Sequence, residues 1–454
     1  MLDFTGNIGV LATMIEKEPG SIVGPFAMIL GFVINLIYNA INFIASSPAN
    51  ILGVSIIILT VFVRFFMIPT GIKSQKSAIA MRKLAPEIKA IKERYGGTKD
   101  PELLRKQNAE IQALYSKNNV NMFGSCLPLL LTLPVFYGLN VVFRNSYMYI
   151  DQMNVMYEEI SMAVMRIPNY QNIIRPIALG HIPDKMLAEF KTYYISDLQR
   201  LVGKLAPYEW DLFTLRSFID IGIGDFRGEI EALLSQKDGL DAITQNGLGE
   251  LLRSVDGFLD SKAVFDGLLN QFIYNIENNK NNKETVGRLI AQIGLMKPQM
   301  ELIIQQAGGL KEHLPELGAR LAAFTSDRDK LAVLLQQKAK CENFLTLNLS
   351  EPSGWGFPGV IIPVLTAATT FLSTFLTGRA NKTADAQAKS QQRMMLIMMP
   401  LLFGWITVGM SAAVGIYWIT SSVFATVQQV FINRYYRKKD NISQNDSKIV
   451  KVVQ

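Results

Sequence analysis

The sequence predicts an all-α membrane protein with five transmembrane helices, a cytoplasmic helical hairpin, an N-terminal interfacial helix and a large helical extracytoplasmic insertion. Apolar residues cluster at 22–72, 122–143 and 355–433, whereas 150–350 has the composition of a water-soluble domain. Charged residues make up 18% of the 454, against about 25% in a soluble chain. The net charge of +7 crowds beside the ends of the apolar runs rather than forming a nucleic-acid stripe. Cytoplasmic loops carry such an excess of Lys and Arg.

Residues 1–50 form the N-terminal segment. Met1–Gly20 lacks the basic and apolar regions of a cleaved signal peptide. Within 25–45, Asn35, Asn39 and Asn42 recur at helical spacing, so three amides share one face. That pattern predicts a helix lying in the membrane interface, the alternative being an extra span with a weakly polar seam. The first span is 51–72. Residues 73–121 follow as a polar hairpin with eleven bases and five acids, which places it in the cytoplasm. Leu84, Ile88, Ile91 and Tyr95 mark one helix, Leu103, Leu104, Ile111 and Leu114 the next, and Gly96-Gly97 to Pro101 breaks them.

The second span, 122–145, returns outside. Residues 146–354 read as successive amphipathic helices, for example 184–203, 261–276, 284–305 and 327–344, with no chemistry apparent. The third span is 355–378, followed by a basic cytoplasmic loop at 379–393. Spans 394–410 and 411–433 close the set, and the basic tail 434–454 is cytoplasmic. The N-terminus is then outside and the C-terminus inside, in a multi-pass membrane protein.

Arg64 lies in the otherwise uncharged run Ile51–Pro69. A guanidinium near the centre of a span costs about 2.5–3.5 kcal/mol on insertion scales, and arginine does not escape by losing its proton. No Asp or Glu occurs in any predicted span, so a partner must come from elsewhere. Hydroxyl and amide stripes accompany it: Thr60 one turn before, Asn140, then Thr366, Thr370 and Ser373, then Tyr417, Thr420 and Ser421. Small hydroxyls commonly join membrane helices. Several stripes around one Arg instead predict a hydrated groove in which the charge keeps part of its solvation.

Cys126 and Cys341 are distant, and His181 and His313 lack metal-ligand or triad spacing, so no metal, cofactor or catalytic residue is implied. No Gly-rich phosphate loop is present. A solute or ion transporter using Arg64 as an intramembrane counter-ion site is the alternative. Five dissimilar spans show none of the internal repeats usual in transporters.

An ordered set of short motifs narrows the choice: Thr60 to Pro69, Lys73-Ser-Gln-Lys76, Leu84 to Tyr95, Asn121 to Leu131, Pro134, Gln391 to Pro400, Gly415 to Trp418, Gln428-Gln429 and Asn433-Arg434. In this order they resemble the YidC-type membrane protein insertase family over about 50–145 and 355–436. The resemblance implies a five-span core with a groove open to cytoplasm and lipid, holding Arg64, with Thr60, Tyr417 and Trp418 at client-contact positions. Asn140, Thr370, Ser373 and Thr420 complete the expected groove. It also implies a hairpin that receives clients, with Lys83, Lys89, Lys92 and Arg94 as expected contacts to client or ribosome. Expected partners are nascent membrane proteins, ribosomes, the Sec translocon and the lipid bilayer. Departures are Met122 where the family has Pro, Thr132 and Ser373 where glutamines are common, and an insertion at 150–350 that matches no insertase motif.

Overall fold

Proline and single-residue breaks decide where the helices of this chain begin and bend. The computed structural model describes residues 23–45, 47, 49–96, 100–118, 127–179, 181, 193–236, 239–278, 281–380 and 386–452. The expected signal-peptide reading and the start of the second span at 122–126 fall outside these residues. Helix α1 is Val23–Ile44, α2 Ile51–Phe66, α3 Ile68–Arg94, α4 Pro101–Lys117, α5 Leu127–Arg144 and α6 Ser146–Tyr149. Next come α7 Asp151–Arg166, α8 Tyr170–Leu179, α9 Ile195–Val202, α10 Pro207–Asp220 and α11 Ile223–Ser235. Helices α12 Ala242–Glu277, α13 Lys283–Gly309 and α14 Pro315–Glu342 precede a two-stranded hairpin, β1 Asn343–Phe344 and β2 Leu347–Asn348. The last helices are α15 Ile361–Ala380, α16 Ala386–Val408 and α17 Ala412–Val452.

The predicted first span is one apolar run but two helices. Pro69 has no N–H to offer, so the ladder stops at Met67, whose N–H reaches Val63 and Arg64 O at 3.1 Å. The axis bends there by 52°. By length and composition, the described helix able to cross a membrane alone is Gly24–Ile44. The bent pair Ile51–Phe66 with Ile68–Ser74 qualifies if taken as one span, and Ile361–Thr377 and Leu396–Val408 are shorter apolar helices.

The chain divides into two compact units, Met1–Asp151 with Ala339–Gln454, and Gln152–Lys338. In the first, α1 packs on α5 and α2, α2 on α17, and α15 on both α16 and α17. Small residues permit the closest approaches. A Cβ on Gly404 of α16 would lie 3.1 Å from Ala367 Cβ and 3.2 Å from Pro363 O of α15. Before α15, the chain lies antiparallel on the turn between α16 and α17. Ser353 N donates to Met410 O at 3.0 Å and Ala412 N to Glu351 O at 2.9 Å. Trp355 and Phe357 are exposed in this approach, so α15 starts later than the apolar run suggests.

Of the three amides that share a face of α1, Asn39 and Asn42 are half-buried and Asn35 is enclosed. Asn35 is buried, its Nδ2 donating to Asp151 Oδ2 at 2.7 Å while its Oδ1 accepts from Asp151 N at 3.1 Å. Tyr38, one turn on, is buried and donates its hydroxyl to Cys341. The outward residues of α1 include Ile29, Phe43 and Ile44.

The second unit has a soluble-type core. Phe213, Phe218, Phe226, Phe258 and Phe265 are each fully buried, and the Phe218 and Phe258 rings meet edge-on at 5.2 Å. Burying each such ring is worth about 1.5–3 kcal/mol. The expected helix 184–203 is described only as α9, since 182–192 lie outside the described residues. The expected helix 327–344 belongs to the longer α14 and stops at Glu342, where the β-hairpin follows with Leu345 in its turn at φ +58°. His181 Nε2 is 2.7 Å from the buried Glu209 carboxylate, which also accepts from Ala206 N at 2.8 Å. That places His181 in a structural hydrogen bond.

Candidate functional site

Arg64 sits in the last turn of α2, just before the break, where α2 packs on α17. It is half-buried, and its Nε donates to Ser421 Oγ at 2.7 Å while Nη2 donates to the same oxygen. Ser421 is 4% exposed, and the Tyr417 hydroxyl one turn earlier reaches it too. Among the described residues no carboxylate lies within 4.0 Å of Arg64. The side chain is therefore held by a neutral acceptor and keeps its full charge.

A second cluster surrounds Trp418. Its Nε1 donates to Thr370 Oγ1 of α15 at 3.1 Å. Its ring stands edge-on to Phe136 of α5 at 5.5 Å and lies 4.1 Å from Phe403 of α16. Trp418 thus ties three helices together through one polar and two aromatic contacts. Tyr417 is buried against Phe136, with centroids 6.3 Å apart. Thr366 Oγ1, one turn before Thr370, is buried with no hydrogen-bond partner among the described residues. Such an orphaned hydroxyl is uncommon in a folded protein.

The predicted groove residues separate into three groups. Arg64 and Tyr417 meet at Ser421, and Thr370 meets Trp418. Thr60 is 1% exposed and spends its hydroxyl on Ile56 O at 2.6 Å, so it faces packing rather than an open surface. Asn140, Ser373 and Thr420 are half-buried, and among the described residues no side-chain hydrogen bond links them to either cluster. Ser421 was legible in the Tyr417 stripe one turn away. Phe136 and Phe403 carried no signal beyond being apolar.

In the hairpin, Asp100 caps α4 by accepting from Glu102 N at 2.9 Å. Arg94 pairs with Glu110 across the two helices at 2.8 Å, and Lys89 with Glu93 at 3.5 Å. Lys92 is exposed, and the side chain of Lys83 lies outside the described residues. A cleft of about 390 Å³ between α3 and α4 is lined by Ile91, Arg94, Glu110 and Leu114.

Helices with buried hydroxyls, a buried-side guanidinium and outward Phe and Leu define an all-α protein of the membrane-embedded class. The family described as "60Kd inner membrane protein" matches residues 44–183 and 321–440, more than half of the sequence. The chain belongs to this family. The match extends into both flanks of the 150–350 insertion and leaves 184–320 unmatched, which narrows the segment without family likeness. The chain is similar to proteins named membrane protein insertase YidC. One from Clostridium tetani is 38% identical over 119 residues, 26% of this chain and 51% of that protein. One from Alkalihalophilus pseudofirmus is 47% identical over 85 residues, 18% and 34% respectively. One from Fusobacterium nucleatum is 32% identical over 120 residues, 26% and 56%. The chain spans about half or less of the length of these curated relatives.

Proposed function

We propose that this protein inserts nascent membrane proteins into a bacterial membrane, drawing a client's polar segment toward Arg64 and releasing its apolar segment into lipid without nucleotide hydrolysis. The observation that carries this is the Arg64 guanidinium, charged, half-buried and, among the described residues, held by the Ser421 hydroxyl with no carboxylate beside it. An acidic tail offers this cation the anionic acceptor that the described residues do not. Once the tail is engaged, each CH₂ of the client helix entering lipid contributes about 0.8 kcal/mol. In this reading the chain crosses the membrane five times, with the N-terminus outside, the C-terminus in the cytoplasm and the insertion outside. The hairpin α3–α4 meets the client or ribosome through Lys83, Lys89, Lys92 and Arg94, and the Sec translocon is a further partner.

The test uses purified protein in vesicles and two single-span clients, one with an acidic tail and weak hydrophobicity, one strongly apolar. Arg64→Ala is expected to lower insertion of the first by roughly tenfold, the equivalent of about 1.4 kcal/mol, and to spare the second. Arg64→Lys should retain part of the activity, because the charge survives and the fork is lost. Equal insertion of the acidic client by Arg64→Ala and the parent protein would remove Arg64 from the mechanism. Photo-crosslinkers at Ser373 and Trp418 should label a stalled client, and one at the enclosed Thr60 should not.

A further inference from the structure

The second unit contains a small polar cavity that insertion does not use. It encloses about 300 Å³ where α8, α10 and α12 meet, the lower end of the range for small-molecule sites, roughly 300–1,000 Å³. Its floor is apolar, made of the buried Ile173, Phe265 and Leu269. Arg216 and Asp266 are half-buried in its wall, and Asp220 stands exposed at the rim.

Arg216 is the informative group. It has five N–H donors in a planar fork, and Nη1 to Ile173 O at 3.2 Å is its one hydrogen bond among the described residues. Asp220 and Asp266 both act on it electrostatically, yet neither carboxylate comes within 4.0 Å of it. Burial pushes its pKa below the ordinary arginine value against the pull of those two carboxylates, and it stays protonated. Asp220 accepts from Asn169 Nδ2 at 3.1 Å and Asp266 from Lys262 Nζ at 2.6 Å, so each carboxylate retains further acceptor capacity. A cation with free donors and two separated carboxylates thus share one cavity over an apolar floor.

We infer that this cavity binds a small zwitterionic α-amino acid, its carboxylate forked by Arg216, its ammonium received by Asp220 and Asp266, and a short apolar side chain seated on Phe265 and Leu269. A forked pair needs a planar carboxylate, and the carboxylates supply the complementary charge that a simple anion would not use. The inference stands independently of the insertion reading.

Calorimetric titration of the full-length protein in detergent with L-valine tests it, with acetate and methylammonium as half-ligands. Saturable valine binding is expected in the millimolar range, about −4 kcal/mol at 1 mM. Each half-ligand should bind at least ~10-fold more weakly, as should valine to Arg216→Gln. No saturable valine binding, acetate binding as tight as valine, or unchanged affinity in Arg216→Gln would overturn the assignment. If Arg216→Gln loses helicity by circular dichroism, Asp266→Asn decides alone. Its carboxylate is 45% exposed and its replacement keeps the shape. Weakened valine binding supports the site, and unchanged binding overturns it.

Discussion

The two units of this chain differ in what accompanies their buried apolar residues. In the unit formed by Met1–Asp151 and Ala339–Gln454, Thr60, Thr366, Thr370, Thr407, Ser421 and Gln429 are buried, while Phe66, Leu401, Trp405 and Phe431 lie outward. In Gln152–Lys338, phenylalanines fill the core, and ion pairs such as Arg227–Asp256 at 2.6 Å and Arg328–Glu301 at 2.8 Å dress the surface. The contrast follows from the solvent. Water rewards buried apolar area. Lipid is as apolar as leucine, so close packing and hydrogen bonds between helices hold an embedded unit together.

Single substitutions can break that contrast. Phe258→Ala in the second unit should cost about 3–5 kcal/mol, read as a lowered melting temperature in detergent. Phe66→Ala, at a position 75% exposed, should change stability by less than about 0.5 kcal/mol. Equal losses would end the comparison. Gly404→Leu should overpack the α15–α16 contact and cost about 1–3 kcal/mol, since Ala367 and the Pro363 carbonyl leave it no room. Thr370→Val removes the Trp418 acceptor and should cost about 0.5–1.5 kcal/mol, with a shift in tryptophan emission as its signature.

The smallest expected effect sharpens the comparison by pH. Asp241 caps α12 by accepting from Thr244 N at 2.6 Å, and that amide holds its carboxyl below the ordinary value. A carboxyl with a depressed folded pKa stabilises fully above the unfolded value of about 3.9 and loses the effect as pH falls through the folded one. The melting advantage of the parent protein over Asp241→Ala should therefore persist at about pH 5 and shrink below about pH 4.

Much of this was legible from spacing, and the misses have physical causes. Leu84 and Ile91 repeat at helical intervals, and both are buried. Arg64 was readable because a lone charge in an apolar run is conspicuous, and the nearby Ser421 because it follows Tyr417 by one turn. Hydropathy alone did not separate an outward stripe from an inward one, so Asn35, Asn39 and Asn42 suggested an outward amide face. The partner that turns Asn35 inward, Asp151, lies more than a hundred residues away in sequence, where periodicity carries no information. The bend at Met67 was missed because Pro69 sits at the edge of an unbroken apolar run, whose hydropathy hides a lost N–H. Thr60 looked like a groove residue from its position and proved self-satisfied, because a helical threonine can bond its own preceding turn.

Asn35 and Tyr38 are neighbours on one helix face, and they grip Asp151 and Cys341, the residues flanking the two junctions between the units. The polypeptide thus departs and returns at fixed posts a single turn apart on α1. A loop tethered in this way is a cassette: its contents can be lengthened, shortened or exchanged over evolutionary time without re-threading the helices that hold its ends.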